Sequence, residues 1–416
     1  MENVSRVYEQ RFDNGLVLLA ETMPWLRSAA FSILLPAGCA FDPLERLGLA
    51  SLTCDMLQRG CGTRDSRQFI EALELLGADY GVSASIYHTA IGGSVPANKL
   101  LATLEVFSDV VQRPRLPEQQ LDDAKMVCLQ ELRSLEDDLS HKAMVALRMR
   151  YYGDPLGRSN TGTTAGISAI EIGDVRRFCS EHFRSDQAII SVAGNIEWEP
   201  LRDQVERLFG ELPPGTAVDG VEAAPRHGSE HILFDSQQTH ICLAYPSVPY
   251  RAPEYFRARG AVGVMSDGLS SRLFNEIREK RGLCYSVFAT LHSLRDRACI
   301  LCYAGTSSDR AQETLDVIVD QFRQLGQGIT AEELTRLKTQ IRSGLIMQQE
   351  SSRARSASMA GDWFHLGRVR TLEEINRLVN ALTIGEVNQY LRRHPPTDFD
   401  LVTLGPKALE VPNGVL

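Results

Sequence analysis

The sequence predicts an α+β fold of two tandem homologous domains, each a mostly antiparallel sheet with helices on one face. Three observations predict it: self-similarity at a nearly constant offset, a Pro/Gly-rich junction near mid-chain, and strand and helix patterns mixed without regular βαβ alternation. Length agrees, since 416 residues exceed the size at which one hydrophobic core stops growing, roughly 250–300 residues.

The repeat is read directly. Ile172-Gly173-Asp174-Val175 with Phe178 returns as Ile384-Gly385-Glu386-Val387 with Tyr390, a shift of 212. Thr103-Leu104-Glu105-Val106 returns as Thr314-Leu315-Asp316-Val317, a shift of 211. Lys125, four residues after Leu121, finds Lys338, four after Leu334. A period this long makes each repeat a whole domain rather than a solenoid unit. The stretch from Phe209 to Arg226 is rich in Pro, Gly and Ala and reads as a surface linker, placing domains at 1–215 and 226–416.

Elements follow in order. Val17–Ala20 and Ala30–Leu35 are expected as paired strands. A helix is expected near 47–58 and another over 66–76, opened by the cap-like Asp65-Ser66. Strands are expected near 79–87 and 89–95, then a long helix over 117–150 opened by Pro117. Asp186–Val192 reads as a late strand ending at Gly194.

Composition narrows the function. A net charge of −9 disfavours nucleic acid as partner. Nine Cys, an odd number, fit buried thiols in a reducing compartment better than a disulfide framework. No basic-then-apolar leader opens the chain and no apolar run reaches ~18 residues, so neither a signal peptide nor membrane contact is expected and the location is read as cytoplasmic.

Ser270-Ser-Arg-Leu-Phe-Asn-Glu-Ile-Arg-Glu-Lys-Arg-Gly-Leu-Cys-Tyr-Ser-Val287 closely resembles the C-terminal signature of the pitrilysin/insulinase family of inverted-motif zinc peptidases, which includes mitochondrial processing peptidase. The resemblance spans nearly the whole chain. Gly48-Leu-Ala precedes the expected zinc helix, Gly77–Ser85 matches a substrate-edge strand, and Leu129-Gln-Glu-Leu132 matches the distal-ligand helix. It implies paired α+β halves forming half of a clamshell chamber.

That family's chemistry needs HxxEH: two His at i and i+4 grip Zn²⁺ from one helix face, the intervening Glu activates water, and a Glu on a second helix completes the site. Here the three motif positions fall on Ser51, Cys54 and Asp55, and only Glu131, 76 residues further on, survives. One carboxylate without imidazoles does not hold catalytic zinc, so no metal and no cofactor is expected in this chain. Glu131 reads as an ordinary helix carboxylate, with a Cys54–Asp55–Glu131 site for another metal as the alternative.

His227-Gly-Ser-Glu-His231 matches H-x-x-E-H literally. It leads into the strand-like Ile232-Leu-Phe, and in an extended chain residues four apart lie roughly 13 Å apart, too far to share a metal. We expect no zinc there.

By the resemblance, Arg278 and Tyr285 match the family's substrate-clamping pair. A guanidinium and a phenol can both donate to a scissile carbonyl and stabilise its oxyanion. Arg272, Glu276, Glu279, Lys280 and Arg281 are expected as a solvated helix face. Gly81, Val82, Ser83, Ala84 and Ser85 form the candidate peptide-pairing edge. The family includes heterodimers in which one chain carries the zinc motif and the other the Arg/Tyr pair. This sequence reads as the second kind, inactive alone and partnered by a zinc-motif subunit that supplies the zinc. Two alternatives remain open: a catalytically silent peptide-binding scaffold of the same fold, and a hydrolase using Cys54 as nucleophile.

Overall fold

The structure, a computed structural model, describes residues 5–215, 224–348 and 350–412. It divides into two compact units, and part of the expected linker, residues 216–223, lies outside the described residues.

Unit 1 comprises Met1–Ser134, Arg158–Glu222 and Met347–Arg370. Its strands are β1 (Arg6–Arg11), β2 (Val17–Thr22), β3 (Ser28–Leu35), the two-residue pair β4 (Gly60–Cys61) and β5 (Arg64–Asp65), then β6 (Asp79–Ala84), β7 (Thr89–Pro96) and β8 (Ile189–Gly194). The main sheet runs β1-β2-β8-β3-β7-β6, antiparallel except for β2 beside β8. The expected pairing of β2 with β3 is therefore corrected. The late strand β8 lies between them, hydrogen-bonded to both. All six of its residues are buried, as a strand in mid-sheet requires.

One face of this sheet carries the core, where Phe31 on β3 meets Phe107 on the Leu100–Gln112 helix, and Phe69 on the Ser66–Leu76 helix meets Tyr80 and Phe107. The Ser66–Leu76 helix starts as its sequence demands: the Asp65 carboxylate accepts from the Gln68 amide, and the Gln68 side chain answers the Asp65 amide. The opposite face takes one further helix, Ser352–Leu366, whose Met359 and Ala360 pack on Val17, Leu19, Ile189 and Ala193. A fully buried ion pair, Arg355 with Glu21, ties that helix to β2.

Unit 2 comprises Leu135–Gly157, Ala223–Ile346 and Thr371–Leu416. Its strands are β9 (Ser229–Leu233), β10 (Gln238–Ser247), β11 (Cys284–Ser293), β12 (Ala298–Ser307) and β13 (Asp400–Gly405), in the order β11-β12-β10-β13-β9, with only β13 and β9 parallel. Its core gathers Ile241, Leu243, Phe322 and Val387 on one face. The other face receives the Leu139–Tyr152 helix, where the Tyr152 hydroxyl sits 3.1 Å from the Cys299 sulfur.

The expected single helix over 117–150 is thus two. A short 3₁₀ turn leads into Leu121–Asp137, and Asp138 then breaks the run by capping the amides of Ser140 and His141 with its own carboxylate. The chain changes unit between Ser134 and Leu135, just before this break, and the corresponding helices of the two repeats, Leu139–Tyr152 and Ser352–Leu366, each belong to the unit built mainly by the other repeat.

Elsewhere the duplication is visible bond by bond. Lys125 donates to the Ser168 carbonyl at 3.1 Å and Lys338 to the Asn380 carbonyl at 2.8 Å. Arg46 pairs with Asp174 at 3.0 Å and Arg257 with Glu386 at 3.2 Å. Among the described residues no helix is long and apolar enough to cross a membrane.

Candidate functional site

Arg278 and Tyr285 are brought together by three local devices. Phe274–Glu279 forms a π-helical turn anchored by buried Ile277. Gly282, in the left-handed region at φ 56°, reverses the chain, and the amides of Gly282 and Leu283 close the turn on the carbonyls of Arg278 and Ile277. Then β11 begins with a bulge: Cys284 pairs with Thr306 and Ser286 with Gly305, leaving Tyr285 as the extra residue without a ladder partner. Arg278 Nη1 donates to the Tyr285 carbonyl at 3.0 Å. Its guanidinium lies 4.7 Å from the Tyr285 ring centroid and 4.8 Å from that of Phe274, so it is held between two aromatic rings. Tyr285 is 83% exposed, which presents its phenol to solvent. Phe274, one turn before Arg278, is a site residue that the sequence reading passed over, although its i,i+4 spacing was available.

Of the neighbours, Glu276 pairs with Lys280 and Arg281 near solvent. Arg272 departs from the expected solvated face. Its side chain is 16% exposed and bidentate to Glu333, so it ties the turn to the Ala331–Gln348 helix.

The helix at the zinc-motif position, Leu49–Leu57, is fixed at its start by Asp42. That carboxylate accepts from the amides of Gly48 at 2.8 Å and Ala50 at 2.9 Å, while Arg158 donates to the Asp42 carbonyl at 2.6 Å. Burial raises the Asp42 pKa to about 6 despite those bonds and the Arg158 charge.

Further along, Ser51 is half-buried. Cys54 is 4% exposed, with its sulfur 3.9 Å from the Thr89 hydroxyl, and burial pushes its thiol up to about 12. Asp55 accepts from Arg59 Nε at 2.6 Å, one turn on. Glu131 is exposed on Leu121–Asp137; burial, with the charges of Asp55 and Glu131 adding to it, raises the Cys128 thiol to about 12. Zinc does not fit this set: a hydroxyl, a thiol that resists ionisation and a carboxylate engaged by a guanidinium replace the ligand-base-ligand series. Among the described residues no three His, Cys, Asp or Glu side chains converge to hold a metal ion. The same burial counts against Cys54 as a nucleophile, since the thiolate is the reactive form.

The candidate peptide-pairing residues lie on β6, an outermost strand paired on one side only, with β7. Ser85 is past its end, in the turn, where its amide donates to the His88 carbonyl at 2.7 Å. Alternation from that bond turns the backbone groups of Ala84, Val82 and Tyr80 outward and those of Ser83 and Gly81 toward β7. Asn160 donates to the Ala84 carbonyl at 3.0 Å, so the open stretch centres on Val82 and Tyr80.

His227 and His231 are held apart by their partners. His231 lies on β9 with Nδ1 2.9 Å from the Thr403 hydroxyl, and His227 precedes the strand with Nδ1 2.9 Å from the buried Asp400 carboxylate. They form no helical i,i+4 pair.

Residues 17–164 match the family model described as insulinase (peptidase family M16), and residues 169–341 match the peptidase M16 inactive domain. An uncharacterized zinc protease of Bacillus subtilis is 26% identical over 399 residues, covering 94% of this chain and 97% of its own. A peptidase M16 inactive domain from Pseudomonas fluorescens superposes with a TM-score of 0.87 at 23% identity, covering 98% of this chain and all of its own. A protease from Helicobacter pylori does so at 0.86 and 16%, covering 97% and 100%. With both halves matched in order, and Ser51, Cys54 and Asp55 where the zinc motif would stand, the chain belongs to the pitrilysin/insulinase (M16) family and lacks that family's zinc motif.

Proposed function

We propose that this chain is the substrate-clamping subunit of a heterodimeric zinc endopeptidase acting on peptides or unfolded segments. The observation that carries the reading is the pairing of an assembled, solvent-facing Arg278–Tyr285 couple with a zinc helix whose residues do not fit zinc. Tyr285 O–H and the guanidinium N–H groups not used on the Tyr285 carbonyl donate to the scissile carbonyl as it becomes an oxyanion. The partner, a family member with an intact motif, supplies zinc and the water it activates. An extended substrate pairs along Val82 and Tyr80, with Gly81, Ser83 and Ala84 beside them. The exposed couple favours this reading over a silent scaffold, which has no evident use for two convergent donors.

The test is reconstitution. The purified chain is expected to hold no stoichiometric zinc and to leave a quenched peptide intact, and to form a cutting heterodimer with a zinc-motif family member. One tightly held Zn²⁺ per chain, with chelator-sensitive cleavage by the chain alone, would overturn the proposal.

A further inference from the structure

We infer that the open edge of β9 is a self-association surface, pairing antiparallel with β9 of a second copy about a two-fold axis through His231. The inference is independent of the proposed heterodimer and starts from an asymmetry between the repeats. β2 and β9 correspond at a shift of 211, and each lies parallel to its neighbour, β8 or β13. In unit 1 the far side of β2 is covered by β1, with Gln10, Tyr8 and Arg6 opposite Leu18, Ala20 and Thr22. In unit 2 the sheet stops at β9, and among the described residues no strand takes the place of β1.

The exposed backbone groups can be assigned. Leu401 donates to the Gly228 carbonyl and Phe234 to the Gly405 carbonyl, so alternate residues from Gly228 to Phe234 bond toward β13. Ser229, His231 and Leu233 then direct both N–H and C=O outward. These are the residues that, shifted back by 211, become Leu18, Ala20 and Thr22, which receive β1 in unit 1. The set is symmetric about His231. In an antiparallel pair of two copies, Ser229 faces Leu233, His231 faces His231, and every outward group finds a partner.

Charge agrees with that register: it sets Asp235, exposed, opposite His227 of the second copy and beside Arg226, also exposed, and the symmetry makes the contact twice. Two of the other sheet edges are defended: β1 carries Arg6, Glu9 and Arg11, and on β11 the Ala289 amide donates to the Ser266 hydroxyl at 2.8 Å. β6 stays open at Val82 and Tyr80, where the proposed substrate pairs. β9 has no Lys, Pro or bulge, and Leu233 is 76% exposed.

Sedimentation of the full chain over a wide concentration range tests this. A concentration-dependent dimer is expected, weakened at least about tenfold by Leu233→Pro. Proline there removes an outward N–H and no ladder bond, so circular dichroism should be unchanged. If that variant misfolds, Leu233→Lys, which leaves the backbone intact, carries the test. The register is read by oxidising Ser229→Cys/Leu233→Cys. Directly opposite residues of a hydrogen-bonded pair lie about 5.5 Å apart, within disulfide reach, so a covalent dimer should form. Ser229→Cys alone should give none, because its symmetry mate is roughly 13 Å away. Of the native thiols, eight are buried and only Cys284 is half-buried, which keeps background low. A chain monomeric at every concentration, a dimer indifferent to Leu233→Pro and Leu233→Lys, or a dimer the double cysteine variant fails to join would each overturn the inference.

Discussion

Arg278 fixes both ends of Tyr285, donating to its carbonyl at 3.0 Å and holding its ring at 4.7 Å from the guanidinium carbon. The carbonyl needs this donor because the bulge at Tyr285 takes the residue out of the β11–β12 ladder. Arg278 therefore positions Tyr285, in addition to the donor role proposed for it. The two side chains form one device.

That coupling orders the kinetic consequences. In the reconstituted heterodimer Tyr285→Phe keeps the ring and its stacking but removes one donor, which typically lowers kcat by ~10²–10³. Arg278→Ala should lower it at least as far, since it also releases the Tyr285 carbonyl. Arg278→Lys should not restore the rate, because an ammonium lacks the planar fork that bonds and stacks together. KM should move less than kcat, as the ground-state carbonyl carries less charge than the oxyanion. Steady-state kinetics, with assembly checked by gel filtration, decides. Variants that assemble and cut at the parent rate would remove the clamp assignment and favour the scaffold.

Stability offers a second prediction at the fully buried Arg355–Glu21 pair. Arg355→Ala strands the Glu21 carboxylate inside unit 1 and is expected to destabilise it by about 3–5 kcal/mol. A double replacement, Arg355→Met with Glu21→Leu, should recover most of that loss, because it leaves no lone buried charge and one Arg355 nitrogen already lacks a partner. Denaturant midpoints of the three proteins measure it. A double variant no more stable than the single one would mean the ion pair itself, rather than the avoidance of a lone charge, holds the helix.

The sequence revealed the duplication, the capped Ser66–Leu76 helix and the Arg278/Tyr285 signature because each is local. Asp65 and Gln68 are three residues apart, and Arg278 and Tyr285 seven. What stayed hidden is long-range. The insertion of β8 between β2 and β3 depends on strands more than 150 residues apart in sequence. The Asp138 break left little signal, since Leu121–Asp137 and Leu139–Tyr152 are each strongly helical and one capping carboxylate separates them. The role of Phe274 was hidden for another reason: a ring in a helical turn reads as core until the turn is seen to be π-helical and the guanidinium to lie over it.

The last prediction concerns pH and Asp42, the carboxylate that receives the first amides of the Leu49–Leu57 helix. Burial raises its pKa from 3.8 to about 6 in the fold. Between these values the folded chain binds a proton at Asp42 that the unfolded chain has released, so this group's contribution to stability is full below about pH 4 and is lost as pH rises through 6. A shift of about two units corresponds to ~3 kcal/mol. Asp42→Asn cannot ionise and lacks this slope. It keeps one acceptor for the helix amides and loses the other, a fixed cost that does not vary with pH. The stability of the variant relative to the parent should thus improve by up to ~3 kcal/mol from pH 4 to pH 7, read in the unfolding transition that reports unit 1. A difference that stays constant over that range, or grows in the parent's favour, would show that the Asp42 carboxylate is ionised in the fold at little cost.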